Sequence, residues 1–484
     1  MTKSSVASVS SGSTPDDPSL TYTVHDAIQS VGFGRFQIIL SVVAGLAWMA
    51  DSMEIMLLSI LTPSLVCEWG LTPFEQAMAT TSVFIGWMIS SPIWGWFCDR
   101  YGRKKGLICA SSTAAIFGVL TAFAPNYGVF VALRSIVGVS LGGNPQSATI
   151  YTEFLPVEHR AKCVILLEVF FSVGAAFVSL LALFIMPLFG WRVLVVCASL
   201  PLLLFTATCA WLPESARFHV SHHRSKEATE ILERVALVNK KQLPEGSLIV
   251  EKKVEIEGRS AISKYFALLE NGIWKTTLLV WVVWTLLSFS YYGLSLYQTE
   301  LFQSTDVCHG GDPGNVNVTT PNATDCVPLT EQDYIDIFTT SLAELPGLLL
   351  TFLVIEHLGR RLTMGLQLLF FGLLNFVLYF CLTRTWMVVV LFIARALIAG
   401  AFQTAYVYTP EVYPTPMRAL GLGAASGWAR AGAMVSPLVA QMIANYNIVY
   451  AALIYGATGV LGGVASFLLP IETTGREMHD SHVL

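Results

Sequence analysis

Asp51 and Glu54 stand three residues apart in WMADSMEIMLL, residues 48–58, with no basic residue beside them. The apolar run that holds them, Phe36 to Leu61, is long enough to cross a hydrocarbon core of roughly 30 Å. Near the bilayer centre each carboxylate costs roughly 2.5–3.5 kcal/mol on an insertion scale. A three-residue step puts both on one helix face. Two chemistries suit such a pair: proton exchange or cation binding along an internal pathway, or a static ion pair that orients helices. Arg134, inside a later apolar run, needs a carboxylate partner, and Asp51 or Glu54 is the expected one. Glu168, Glu344 and Arg430 are further intramembrane charges expected to face the interior. Tyr291 and Tyr292 in FSYYG, with Trp428 near Arg430, read either as an aromatic wall for a cationic or ring-shaped solute or as packing. Arg395 reads as structural.

The elements that must position these groups are membrane spans. Hydrophobic residues make up 54% of the 484 and charged ones 13%, against roughly 25% charged in an ordinary soluble domain. An all-α integral membrane protein follows, and the net charge of -5 is too small to point to nucleic acid. Twelve apolar runs recur, at about 36–61, 76–97, 106–124, 127–150, 163–187, 190–211, 274–299, 334–355, 362–382, 386–408, 419–444 and 447–469. Of the 28 Lys and Arg, Arg134, Arg395 and Arg430 lie well inside runs, away from their ends, and only Arg192 and Arg384 fall on the side opposite the N-terminus. Both termini are therefore expected in the cytosol. Residues 1–35 read as a Ser-rich solvated tail, 36–211 as a six-helix bundle and 212–273 as a cytosolic linker. Residues 274–469 read as a second six-helix bundle with an external loop at 300–333, and 470–484 as a cytosolic tail. In the linker, SKEATEILERVALVNKK has an amphipathic helical pattern.

The halves repeat each other. DRYGRK at Asp99–Lys104 matches EHLGRR at Glu356–Arg361, and Glu153, Pro156 and Arg160 match Glu411, Pro414 and Arg418, at steps of 257 and 258 residues. Two six-helix bundles related by an axis along the membrane normal are the expected result. Gly95, Asp99, Arg100, Gly102 and Arg103, with Glu356, Gly359 and Arg360, read as a duplicated gate element, or as topogenic charge. In the gate reading Asp99 accepts from basic groups and from a neighbouring helix N-terminus to close the cytosolic side, and the glycines let helices approach closely.

These strings carry a family resemblance. G-x-x-x-D-R-x-G-R-K at Gly95–Lys104, R-x-x-x-G-x-x-x-G at Arg134–Gly142 and PESAR at Pro213–Arg217 resemble signatures of the major facilitator superfamily. WMADSMEIMLLSIL, PQS at 145–147 followed by EFLP, and YTPEVYPTPMRALGLG resemble, more narrowly, the synaptic-vesicle-2-related proteins. That resemblance implies the major facilitator fold and kinship with organic-ion and sugar porters.

No GxxxxGKS phosphate loop, HExxH or paired CxxC occurs, and all nine His lie outside the runs. No enzyme, cofactor, metal site or histidine relay is expected. The external loop holds Cys308 and Cys326, an expected disulfide, and between them the sequons at Asn317 and Asn322. Cys67 is the expected spare thiol. The function expected is secondary active transport of a small organic ion or polar metabolite by alternating access, with proton coupling, in a monomer of a vesicle or plasma membrane. The alternative is a transporter-fold scaffold or receptor that moves nothing.

Overall fold

The computed structural model describes residues 21–249, 265, 268–269, 272–303, 328–380, 382–414 and 417–474. Each apolar run becomes a helix or a broken pair of helices. The first three spans are Arg35–Trp69, Pro73–Tyr101 and Arg103–Thr121, and the fourth is split into Tyr127–Leu141 and Pro145–Glu153. The fifth and sixth form one stretch, Val157–Thr208, divided at Gly190, whose φ of 74° is not helical. The seventh is Trp274–Gln303, the eighth Glu331–Leu342 plus Glu344–Leu358, the ninth Arg360–Val377 and the tenth Arg384–Val412. The eleventh, Arg418–Pro437, widens into a π-helical turn at Leu438–Ile443, and the twelfth is Ile448–Phe467. Six helical stretches among the described residues are long and apolar enough to cross a membrane by length and composition alone. Large apolar side chains such as Ile89, Phe184, Leu188, Phe352 and Leu373 point outward from the bundle, an arrangement that hydrocarbon tolerates and water does not.

The helices assort into two lobes. The first span packs on the fifth–sixth stretch and the second on the fourth, while the seventh packs on the eleventh and twelfth and the ninth on the tenth and twelfth. Backbone-to-backbone approach sets the spacing inside each lobe. A Cβ on Gly174 would stand 2.3 Å from the Met49 carbonyl oxygen, and one on Gly432 2.2 Å from that of Thr285. Gly174 and Gly432 are separated by the same 258-residue step as Glu153 and Glu411, so the duplication extends to how fifth packs on first and eleventh on seventh. Small residues at such crossings let van der Waals contact do what the hydrophobic effect cannot do in lipid.

One end of the bundle carries the linker. The expected solvated tail is folded from Thr21 onward. Thr23 and Asp26 form a capping box for the helix Val24–Val31. Its apolar face, Val24, Ala27 and Ile28, packs with Ala216, Val220, Ala228 and Leu232 of the linker. Apolar residues at this helical spacing have a partner to cover them, and that is why the segment does not stay in solvent. The amphipathic linker segment is the helix Ser225–Asn239. Its last residue ties it to the first span: Asn239 Oδ1 accepts from the Phe36 N–H at 2.9 Å and Nδ2 donates to Gln37 Oε1 at 2.7 Å.

At the far end the lobes are joined by side-chain hydrogen bonds. Ser59 Oγ donates to the Ser295 carbonyl at 2.6 Å, and Gln441 Nε2 donates to Thr62 Oγ1 at 3.2 Å. Ser179 and Ser341 hydroxyls lie 3.2 Å apart, and the Gln76 amide donates to Glu300. Among the described residues no hydrogen bond joins the lobes near the linker end.

Replacing Gly432 with Leu is expected to destabilise the protein by about 1–3 kcal/mol through overpacking, read as a lower melting temperature of the detergent-purified protein. Gly427→Leu is the control, since a Cβ there meets nothing within 4 Å, and it should leave that temperature unchanged.

Candidate functional site

A cavity of about 530 Å³ lies between the lobes. Trp48 and Asp51 of the first span, Glu168 and Phe171 of the fifth, and Trp87 of the second line one side; Tyr291 and Tyr292 of the seventh, Glu344 of the eighth, Phe402 and Tyr406 of the tenth and Arg430 of the eleventh line the other. Thr149, Thr152, Leu422 and Gly423 extend it toward the linker end, where those spans begin or finish.

The two acids of the first span part company here. Glu54 is buried beside the cavity and accepts from Arg134 Nη1 at 2.5 Å, with side-chain exposures of 3% and 1%. Asp51, one turn toward the linker end, faces the cavity and accepts from the Asn144 amide. The break in the fourth span explains Asn144. Pro145 has no N–H to continue the hydrogen-bond ladder, so the chain turns through Gly142–Asn144 and restarts. The shared helix face expected for Asp51 and Glu54 is real, but only Asp51 reaches the opening. A three-residue step rotates by about 300°, so the two side chains stand about 60° apart on that face, enough for Glu54 to turn to Arg134 while Asp51 meets the opening.

The second lobe holds a matching charge pair. Glu344 Oε1 accepts from Arg395 Nε at 3.0 Å and from the Tyr291 hydroxyl at 2.9 Å. Arg395 Nη2 also lies 3.7 Å from the Met56 sulfur, so this pair leans on the first span of the other lobe. Two cavity charges have no such partner among the described residues. Glu168 is 9% exposed and its Oε1 makes no hydrogen bond. Arg430 makes one long contact, 3.5 Å to the Ser426 carbonyl, while its Nε is unpaired. Its guanidinium sits 5.2 Å from the centre of the Trp87 ring, a cation–π geometry.

Tyr291 belongs to a closed collar of rings that sequence alone did not reveal. Trp48–Phe171, Phe171–Tyr291, Tyr291–Phe402, Phe402–Tyr406 and Tyr406–Trp48 have centroids 6.4, 6.3, 5.4, 5.6 and 6.2 Å apart. Trp428 is not part of it. Two residues from Arg430 is about 200° around a helix, and Trp428 stacks instead on Trp281 and donates from Nε1 to Tyr265.

The duplicated motifs lie at the linker end and repeat in detail. Arg103 pairs with Asp99 at 3.3 Å and with Glu153 at 3.0 Å, and Arg360 pairs with Glu356 at 2.9 Å and Glu411 at 3.1 Å. A third acid completes each copy. Glu214 accepts from the Arg103 N–H at 2.8 Å and Glu472 from the Arg360 N–H at 2.9 Å, capping the third and ninth helices where unpaired N–H groups and the helix dipole favour an anion. The hydrogen bonds from backbone N–H groups hold the Glu472 carboxyl below the usual range despite its partial burial. Gly102 and Gly359 are required, with φ of 110° and 88°. Gly95 is not a close-approach site, since nothing lies within 4 Å of a Cβ placed there. Arg100 is exposed. Asp99 pairs within its own lobe, so in this state it does not latch the linker end shut. Asn317, Asn322, Cys308 and Cys326 lie outside the described residues; Cys67, expected as a spare thiol, is disulfide-bonded.

Two helical lobes, joined at one end and parted at the other around a charged cavity, define a membrane transporter and not an enzyme. Residues 42–320 match the family model described as sugar (and other) transporter, and residues 334–481 that of the major facilitator superfamily. The chain belongs to this family. It is 49% identical to the putative transporter svop-1 of Caenorhabditis elegans, over 96% of this chain and 88% of that one. It is 47% identical to the synaptic vesicle 2-related protein of Xenopus laevis, over 95% and 83%. It is 35% identical to organic cation/carnitine transporter 7 of Arabidopsis thaliana, over 96% and 97%. The crystal structure of a D-xylose-proton symporter superposes with a TM-score of 0.67 at 18% identity, covering 91% of this chain and 99% of that one. At that identity the likeness speaks for the fold.

Arg134→Gln leaves Glu54 buried without its cation, and a loss of about 3–5 kcal/mol is expected, seen as poor yield and a lowered melting temperature. Glu54→Gln combined with Arg134→Gln removes both charges and should recover most of that loss. Equal damage from the single and double changes would show that the pair is not the reason these residues are there.

Proposed function

We propose that this transporter is a proton-coupled carrier of a small charged organic solute, working by alternating access around the cavity. The observation that carries the reading is the cavity itself: among the described residues, buried charges without partners face it, and the hydrogen bonds that join the lobes lie at the far end. Such charges are costly in a protein that only scaffolds a membrane, and a carrier gives them a ligand. Relatives named as transporters, one of them for organic cations and carnitine, support a charged organic cargo.

Asp51 is the proposed coupling carboxylate. It faces the cavity and its hydrogen-bond partner is a neutral amide, so it takes up and releases a proton without breaking an ion pair. Glu54 and Arg134 hold the first span against the fourth, and Glu344 and Arg395 hold the eighth against the tenth. With the linker end in the cytosol, as the charge distribution predicts, the present state faces inward. Turning outward requires the far-end hydrogen bonds of Ser59, Gln76, Thr62 and Ser179 to break while the linker ends approach, and Asp99 is then placed to meet the other lobe. A vesicle membrane suits the synaptic vesicle 2-related relatives.

In proteoliposomes loaded with a solute found by ligand stabilisation of the purified protein, wild type should accumulate it when a proton gradient is imposed. Asp51→Asn, fixed in the uncharged form, should still exchange labelled for unlabelled solute, should fail to accumulate it and should lose the dependence on pH. Undiminished accumulation by Asp51→Asn would move the coupling role to another carboxylate.

A further inference from the structure

The cavity charges form an arithmetic that selects the shape of the cargo. Three carboxylates line it, Asp51, Glu168 and Glu344, with one guanidinium, Arg430. Glu344 is satisfied by Arg395 and Tyr291, and Asp51 by the Asn144 amide. With Asp51 carrying the coupling proton, what stays open among the described residues is one anion and one cation. Glu168, nine-tenths buried, has an oxygen with no hydrogen bond, and Arg430 has its Nε unpaired and no carboxylate within ion-pair distance among the described residues. They stand on opposite lobes, Glu168 on the fifth span and Arg430 on the eleventh.

We infer that the cavity binds a zwitterion bearing a methylated ammonium at one end and a carboxylate at the other, with the cation in the aromatic collar beside Glu168 and the anion on Arg430. The assignment rests on the transport reading above and goes past it by giving each pole a side chain. The collar argues for the methylated ammonium. Phe171 lies three residues from Glu168 on the same helix face, and through it the ring of Trp48, Tyr291, Phe402 and Tyr406 closes. Faces of aromatic rings attract a diffuse cation without asking for hydrogen bonds, and a carboxylate at the edge completes the charge balance. Arg430 argues for the carboxylate, because a guanidinium presents paired donors to a planar anion. Tyr292 and Tyr406 line the same cavity as Asp51, Glu168 and Arg430, so the two poles face one space. A solute with both charges would also draw the lobes together, since its ends are held by different halves of the molecule.

The test measures equilibrium binding to the purified full-length protein. The probes are trimethylammonio carboxylates with progressively longer chains between the poles, alongside tetramethylammonium and butanoate. One member of the series should bind at least about tenfold more tightly than either single-pole compound, because losing one partner of a charged contact costs that much or more. Arg430→Gln should reduce that member to the level of tetramethylammonium and leave tetramethylammonium itself within about twofold. Glu168→Gln should weaken both. Arg430→Lys, which keeps the charge and guards against a folding defect, should retain part of the preference. The inference is overturned if tetramethylammonium binds as tightly as every zwitterion, or if both Gln variants, shown folded by their melting temperatures, bind the zwitterion as wild type does. It is also overturned if the series fails while an uncharged or singly charged solute binds; in that case the transport reading stands and only the cargo class falls.

Discussion

A charge in hydrocarbon must find a partner, and that requirement shapes this molecule more than any other. Glu54 takes Arg134 and Glu344 takes Arg395, each pair locking a helix crossing within one lobe. Removing one partner of such a pair is far more damaging than removing both, so the pairs fix which helices can move relative to which. In the proposed carrier each lobe moves as one body. Freedom is left at the boundary between them, where hydroxyl and amide contacts such as Ser59 to Ser295 and Ser179 to Ser341 are made from neutral groups. Neutral hydrogen bonds are individually modest, about 0.5–1.5 kcal/mol net, and can be exchanged for water when the far end opens.

The duplication distributes these roles evenly. Glu153, Glu214 and Asp99 surround Arg103 as Glu411, Glu472 and Glu356 surround Arg360. Gly174 and Gly432 repeat the close helix approach. The cavity does not repeat. Asp51 and Glu168 come from one lobe, Glu344 and Arg430 from the other, and Trp87 of the first lobe stacks on Arg430 of the second. Symmetric halves suit the proposed motion, and an asymmetric lining suits the proposed chemistry.

Much of this was legible in the chain. Spanning runs, the DRYGRK and EHLGRR copies and the intramembrane charges led to the two-lobed helical fold and to a charged interior, because hydrophobic length and charge cost are local properties of sequence. What stayed hidden depended on three-dimensional closure. Asn144 was announced only by the helix-breaking GGNP, which marks a turn but not what the turn delivers. Trp48, Phe402 and Tyr406 look like ordinary apolar filler until the rings meet across the lobes. Glu214 was quoted within PESAR, yet its counterpart Glu472 sits in a differently spelled PIETT, so the capping role emerged only with the helix ends beside it. Trp428 falls to the packing alternative, because two residues from Arg430 is nearly the opposite side of a helix. The tail from Thr21 looked solvated because the helix that covers it lies in a linker almost two hundred residues on.

Alternating access requires the two lobes to rock about the cavity. Pairs of spin labels report this directly in reconstituted protein: one pair at exposed linker-end positions on the two lobes, Arg100 and Leu362, and one at exposed far-end positions, Phe74 and Tyr446. Distance distributions measured across pH and with bound solute should show the linker-end pair shortening as the far-end pair lengthens, with the two changes in step. Both distances holding constant under all conditions, or both moving in the same sense, would contradict alternating access for this chain.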